Sequence, residues 1–142
     1  MSTFDKGSIW YTDNYWVGYT AGGAITKGNV VYLDSNGNVQ ATAGVNRAAI
    51  GVALASASSG GTVPVALRGI VWATASGAIS KGTFVTSGAS GKVSAFAGFT
   101  APSSYAQASM QTELDKIGTV IGIALDSASA DGDVIRILLL KF

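Results

Sequence analysis

The chain has 142 residues, of which 48% are hydrophobic and only 12% charged, with a net charge of +1. That length suits one domain or two intimately packed half-domains, and a near-neutral chain without a basic run excludes nucleic acid as the main partner. With no histidine and no cysteine, there is no imidazole base, no thiolate, no disulfide and no zinc site of the usual kind.

Residues 1–20 form the first distinct stretch, MSTFDKGSIWYTDNYWVGYT, and they read as an N-terminal arm. It holds Phe4, Trp10, Tyr11, Tyr15, Trp16 and Tyr19, six of the thirteen aromatic residues. Ile9–Tyr11 and Tyr15–Tyr19 suit short strands joined by a turn at Thr12-Asp13-Asn14. Two readings of the arm stand side by side. In one it docks on a partner, with Phe4, Ile9, Trp10, Tyr11, Tyr15 and Trp16 as anchors, since aromatics are common interface residues. In the other it wraps its own domain and plugs the core. Met1–Ser8 is polar with no apolar region after it, so no signal peptide is expected. No apolar run approaches membrane-spanning length, which predicts a soluble cytoplasmic product.

Residues 21–142 read as a single β domain built of two repeats, 21–74 and 75–142. Ala21 to Gly44 (AGGAITKGNVVYLDSNGNVQATAG) returns without a gap as Ala75 to Gly98 (ASGAISKGTFVTSGASGKVSAFAG). Ile-x-Lys-Gly-x-x-Val sets an apolar residue, a tight turn and a new strand in sequence. Gly28 and Gly82 are predicted at positive φ in the Lys-Gly turn. A second turn is expected at Asn36-Gly37 and Ser90-Gly91, making Gly37 and Gly91 structural as well. Val39 and Val93 open the returning strands. Each half is too short to bury a core alone, so the two are expected to share one.

Ile50 to Leu67 (IGVALASASSGGTVPVAL) likewise returns as Ile121 to Leu138 (IGIALDSASADGDVIRIL). Within the first of these, Thr62–Leu67 alternates, and Pro64 predicts an edge strand or a bulge. Gly69–Ala73 leads into the second repeat. Asp133–Phe142 is apolar on both faces except at Arg136 and Lys141, the pattern of a sheet centre or a subunit contact.

Residues 99–120 are an insertion and the one helical candidate. Pro102 with Ser103 or Ser104 gives a start, Ala106, Met110, Leu114 and Ile117 a periodic face, and Gly118 a stop. The helix is expected to cap an open end of the β body, with a recognition role as the alternative.

Catalytic motifs are missing. There is no Gly-x-Ser-x-Gly elbow, and Thr86 stands where a phosphate loop ending at Gly91-Lys92 needs its first glycine. Asp126, Asp131 and Asp133 faintly suggest a calcium loop, but the terminal glutamate of that pattern is absent and a plain hairpin turn is expected. No enzyme activity, cofactor, metal or small-molecule substrate is predicted.

The units Ile25-Thr-Lys-Gly-Asn-Val-Val, Ile79-Ser-Lys-Gly-Thr-Phe-Val, Ile50-Gly-Val-Ala-Leu and Ile121-Gly-Ile-Ala-Leu resemble those of tailed-phage capsid cement proteins. That family is similar in role to the head decoration protein of phage lambda. The resemblance covers roughly residues 20 to 142. It implies an all-β fold, an internally duplicated β-tulip or barrel-like domain with one short helical insertion and an N-terminal arm. It also implies a homotrimer on the capsid exterior, made in the host cytoplasm, that binds the major capsid protein and reinforces the shell, with no nucleic-acid or membrane partner. Two alternatives fit parts of the chain. One is a carbohydrate- or receptor-binding module of a phage fibre using Trp10, Trp16 and Trp72 as platforms. The other is a β-clip or lipoyl-like small barrel with Lys92 at a hairpin tip.

Overall fold

The strands Tyr15–Thr20 (β1), Val30–Leu33 (β2), Val39–Ala41 (β3), Ala49–Ala53 (β4), Thr62–Thr74 (β5), Phe84–Ser87 (β6), Val93–Ala95 (β7), Val120–Ala124 (β8) and Val134–Leu139 (β9) form one sheet. They are seen in a computed structural model that describes residues 15–103 and 106–140. The order is β3-β2-β4-β5-β9-β8-β6-β7, with β1 beside β5, and every strand pairing is antiparallel. The sheet curls into a half-barrel, and the fold is all-β and barrel-like.

The Lys-Gly turns have the same geometry in both halves. Gly28 and Gly82 have φ of 91° and 84°, and each closes a four-residue turn, Asn29 N–H to Thr26 carbonyl at 3.0 Å and Thr83 N–H to Ser80 carbonyl at 3.2 Å. A glycine at the third position is what such a turn demands. Ser56 and Ser127 hold the turns from below by accepting the Lys27 and Lys81 N–H groups at 2.9 and 3.0 Å. A Cβ at either glycine would meet nothing within 4 Å, so only backbone conformation penalises a substitution. Gly28→Val and Gly82→Val should each lose about 1 to 3 kcal/mol of stability. Lys27→Ala and Lys81→Ala should lose less than about 0.5 kcal/mol. Equal drops in melting temperature for all four would contradict this.

The second turns differ between the halves. Gly37 has φ of 80° and donates to the Asp34 carbonyl at 3.1 Å, while Asp34 Oδ1 accepts from Asn36 and Asn38 N–H. In the second half both Ser90 (57°) and Gly91 (68°) have positive φ, and the tip is turned inward. Gly91 N–H donates to the Thr42 carbonyl at 2.8 Å, and Thr42 Oγ1, buried, donates to the Gly88 carbonyl at 2.9 Å. Ser87 adds two more bonds, accepting from Asn46 N–H and donating to the Gly44 carbonyl. These bonds satisfy the polar groups where the halves meet, which burial would otherwise penalise.

The backbone bonding corrects the gapless match of Ile50–Leu67 with Ile121–Leu138. Ala21 exchanges bonds with Gly60 and Gly61, whereas Ala75 exchanges them with Gly132 and Asp133, so the second half is one residue longer in this turn. Beyond it, Val63 and Val65 correspond to Ile135 and Ile137 rather than to Val134 and Arg136. Burial agrees: those four are at most 1% exposed, whereas Val134 is 59% exposed. A slip of one residue in a strand exchanges its faces. Pairing also extends the likeness upstream. β1 meets β5 with Val17 opposite Val65 and Tyr19 opposite Val63, as the second part of β5 meets β9 with Val71 opposite Ile137 and Ala73 opposite Ile135. The last six residues of the expected arm are thus a strand of the sheet.

Instead of one shared core there are two clusters. Ala21, Ile25, Val31, Val39, Ala53, Val63 and Val65 line the first half. Their counterparts Ala75, Ile79, Val85, Val93, Ala124, Ile135 and Ile137 line the second, inside a larger cluster that also takes in Val30, Val52 and Ala66 of the first. Three further expectations are settled by position. β9 lies at the sheet centre, between β5 and β8. Pro64 is internal, not at an edge, flanked by β1 and β4. Its carbonyl accepts from Leu54 N–H, and the N–H it lacks would point the same way, one residue past the end of β4, so no ladder bond is forfeited. The helix Gln107–Asp115 (α1) buries no residue, and it does not cap the core. The strands already close that core, and Met110, Leu114 and Ile117 are 39%, 63% and 43% exposed.

Candidate functional site

Of the six anchors expected in the arm, Phe4, Ile9, Trp10 and Tyr11 lie outside the described residues. Tyr15 and Trp16 open β1 and are 61% and 57% exposed. β1 pairs only with β5 among the described strands, so its other edge is available to accept a further strand. Tyr19, three residues on, turns inward and packs against the first-half cluster. One strand therefore contributes both to the core and to the surface. The four turn glycines Gly28, Gly37, Gly82 and Gly91 lie at strand junctions and are scaffold, away from these aromatics.

A second surface escaped the sequence reading. Register places Ile70 opposite Leu138, Leu138 opposite Ile123, and Ile123 opposite Phe84. This row crosses four strands on the face turned away from the second-half core. Phe84 continues it edge-to-face onto Phe96 (centroids 6.4 Å apart), and Phe96 onto Phe99 (5.5 Å). Phe84 is 40% and Phe99 57% exposed. Apolar rows of this length on one face are a usual mark of an interaction site. No sequence signal could find it while the gapless match set Leu138 against Leu67.

Beside the row, Trp72 is 60% exposed, with the Arg136 guanidinium 5.9 Å from its ring centroid. Arg136 is held by Asp126 in a two-bonded pair of 2.9 and 2.8 Å. Hydrogen bonding from Arg136 keeps the Asp126 carboxyl well below its ordinary range. Any stability this pair adds is present above the unfolded carboxylate pKa and fades only as pH falls below that range. Asp131 bonds Lys92 at 2.6 Å. Asp133 accepts the Ser129 and Ala130 N–H groups, which lower its pKa. Each aspartate has its own partner, and among the described residues no three metal-type side chains come together. The loop is a hairpin turn. Lys92, tied to Asp131, is not the free tip lysine that a lipoyl carrier needs. Glu113 bonds Lys116 and Thr100 N–H, in that order of effect on its lowered pKa, and ties α1 to the preceding loop.

The sequence profile of phage cement proteins matches the chain twice, over residues 5–62 and 38–139. The chain belongs to the phage cement protein family. It is accordingly a structural protein of the virion, associated with the capsid. No curated protein matches it. Among solved structures, the crystal structure of the head fiber gp8.5 N base of bacteriophage phi29 is similar in fold. The TM-score is 0.56 at 15% identity, covering 92% of this chain and 98% of that one. A phage cement protein of this build presents two apolar surfaces on a rigid sheet. Both are shaped for contact.

Proposed function

We propose that this cement protein binds the outer surface of the capsid, bridges neighbouring major capsid subunits as a homotrimer, and acts by binding energy with no catalytic step. Membership of the cement family carries the proposal. Tyr15 and Trp16 support it, standing exposed on a sheet edge at the end of the aromatic segment that holds Phe4, Ile9, Trp10 and Tyr11. A protein that binds the intact lattice and not its separated subunits stabilises the closed shell by mass action.

The test is co-sedimentation of the purified protein with capsids, followed by heating of decorated and bare shells. Decorated shells should release their contents at a higher temperature. Failure to sediment with capsids, or release at the same temperature, would count against the proposal. Trp16→Ala should weaken attachment about tenfold, since an interface tryptophan is commonly worth 1 to 2 kcal/mol or more. Its melting temperature should stay near that of the wild type because the ring is exposed.

A further inference from the structure

Equivalent positions in the two halves are buried unequally, and the inequalities are complementary. On the outer face of the first half, Val30, Val52 and Ala66 are sealed at 0%, 1% and 0% exposure, inside the cluster that runs into the second half. The same positions in the second half are Phe84, Ile123 and Leu138, which are 40% exposed, half-buried and half-buried. On the inner side the order reverses. Tyr19, Ile50 and Leu67 of the first half are only partly covered. Their counterparts Ala73, Ile121 and Leu139 are buried to 1%, 2% and 3%. One junction, outer face of the first half against inner face of the second, is thus made within the chain. The two surfaces that would continue it are left open.

We infer that these open surfaces bind each other between chains. The Phe84–Ile123–Leu138 face of one copy packs on the Tyr19–Ile50–Leu67 rim of the next, repeating head to tail the junction already present in each chain. This deepens the proposed association on the capsid and rests on it. The partner is a second copy because the chain itself shows what covers this face of the fold, namely the inner side of the same fold. Residue size agrees with a contact that no covalent link supports. Phe, Ile and Leu replace Val, Val and Ala, which adds apolar area to bury. Phe96 stands where Thr42 stands in the first half, each donating its N–H to the residue opposite, Phe84 or Val30. The hydrogen bonds by which Thr42 crosses the internal junction are thereby exchanged for an aromatic ring. A head-to-tail contact of this kind closes into a ring when its rotation permits.

Photo-cross-linking of the full chain tests the inference. Phe84→p-benzoylphenylalanine is irradiated in concentrated solution and again on capsids, and the products are mapped by peptide mass spectrometry. The expected product joins position 84 to a peptide of another copy that holds Tyr19, Ile50 or Leu67. Capture of the Ile123 or Leu138 face of a second copy would mean a face-to-face contact and overturn the inference. Capture of capsid protein alone, or of nothing in either setting, would overturn it too. Ile123→Glu gives an independent check. It should keep the wild-type circular dichroism and melting point, since the residue is on the outer face, while self-association by ultracentrifugation weakens about tenfold or more. Unchanged association would be fatal. Wild-type sedimentation with capsids is scored separately: its failure would remove the cement reading, and the chain-to-chain cross-link would still decide this one.

Discussion

Gly51→Ala and Gly122→Ala should be the most damaging small substitutions in this protein, each removing about 3 kcal/mol or more of stability. The two glycines are equivalent, the second residue of Ile-Gly-Val-Ala-Leu in β4 and of Ile-Gly-Ile-Ala-Leu in β8. A Cβ on Gly51 would strike the Ala66 carbonyl oxygen and lie 2.9 Å from its carbon; one on Gly122 would strike the Leu138 carbonyl oxygen and lie 3.0 Å from its carbon. These are backbone atoms of β5 and β9, which cannot rotate away as a side chain can. The approach is close because a bulge precedes each glycine. Val31 faces Gly51 while Tyr32 faces Ala49, and Val85 faces Gly122 while Thr86 faces Val120, leaving Ile50 and Ile121 as extra residues. Bulges increase local twist, and here the twist brings each strand over its neighbour. Gly44→Ala and Gly77→Ala are the controls, since nothing lies within 4 Å of a Cβ there and neither has a positive φ. They should change stability by no more than roughly 0.5 kcal/mol. Urea denaturation of the four variants decides the matter. If the Gly122 variant unfolds with the controls, the close approach does not exist.

Those two glycines also mark where the sequence stops being legible. The Lys-Gly and Asn-Gly turns could be read because a turn needs a local residue type, and Gly28, Gly37, Gly82 and Gly91 all have positive φ. The starts of β3 and β7 at Val39 and Val93 could be read from the same pattern. Gly51 and Gly122 are required by a neighbouring strand far along the chain, which no local pattern reveals. The one-residue slip between Gly60 and Gly132 was hidden for a related reason. Ser, Ala, Gly and Asp all suit a turn, so composition does not show where the extra residue enters, and the face of β9 was misassigned with it. The helix shows the opposite failure. Ala106, Met110, Leu114 and Ile117 have helical spacing, yet spacing says only which residues share a face and not that anything covers them. Of the candidate site, the sequence identified the aromatic arm up to Trp16. It missed Phe84, Ile123 and Leu138, which become a surface only through the register of four strands.

Deleting Met1–Ser8 should leave the fold intact and weaken capsid attachment at least about tenfold, a change of about 1.4 kcal/mol. The sheet begins at Tyr15, and β1 is held by pairing with β5 along its length from Tyr15–Arg68 to Thr20–Thr62. A deletion ending at Ser8 removes none of those pairs and no core residue. What it removes is Phe4 and a polar run suited to an extended strand along a partner's sheet edge, where backbone bonds give affinity and side chains give specificity. Ordering such a segment costs about 1 to 2 kcal/mol per residue of backbone entropy. Burial of one aromatic or large aliphatic side chain returns about 1.5 to 3 kcal/mol. The net is small, so the loss should appear as weaker attachment and not as its abolition, with Ile9, Trp10, Tyr11, Tyr15 and Trp16 still in place. Deletion through Tyr19 is a different experiment. It strips most of β1 from β5 and uncovers the cluster on which Tyr19 packs, so it should lower the melting temperature as well as attachment. Circular dichroism, thermal melts and capsid sedimentation separate the two effects. If the eight-residue deletion melts early, the arm belongs to the fold. If it sediments with capsids as well as the full chain does, Phe4 and its neighbours are not part of the attachment site.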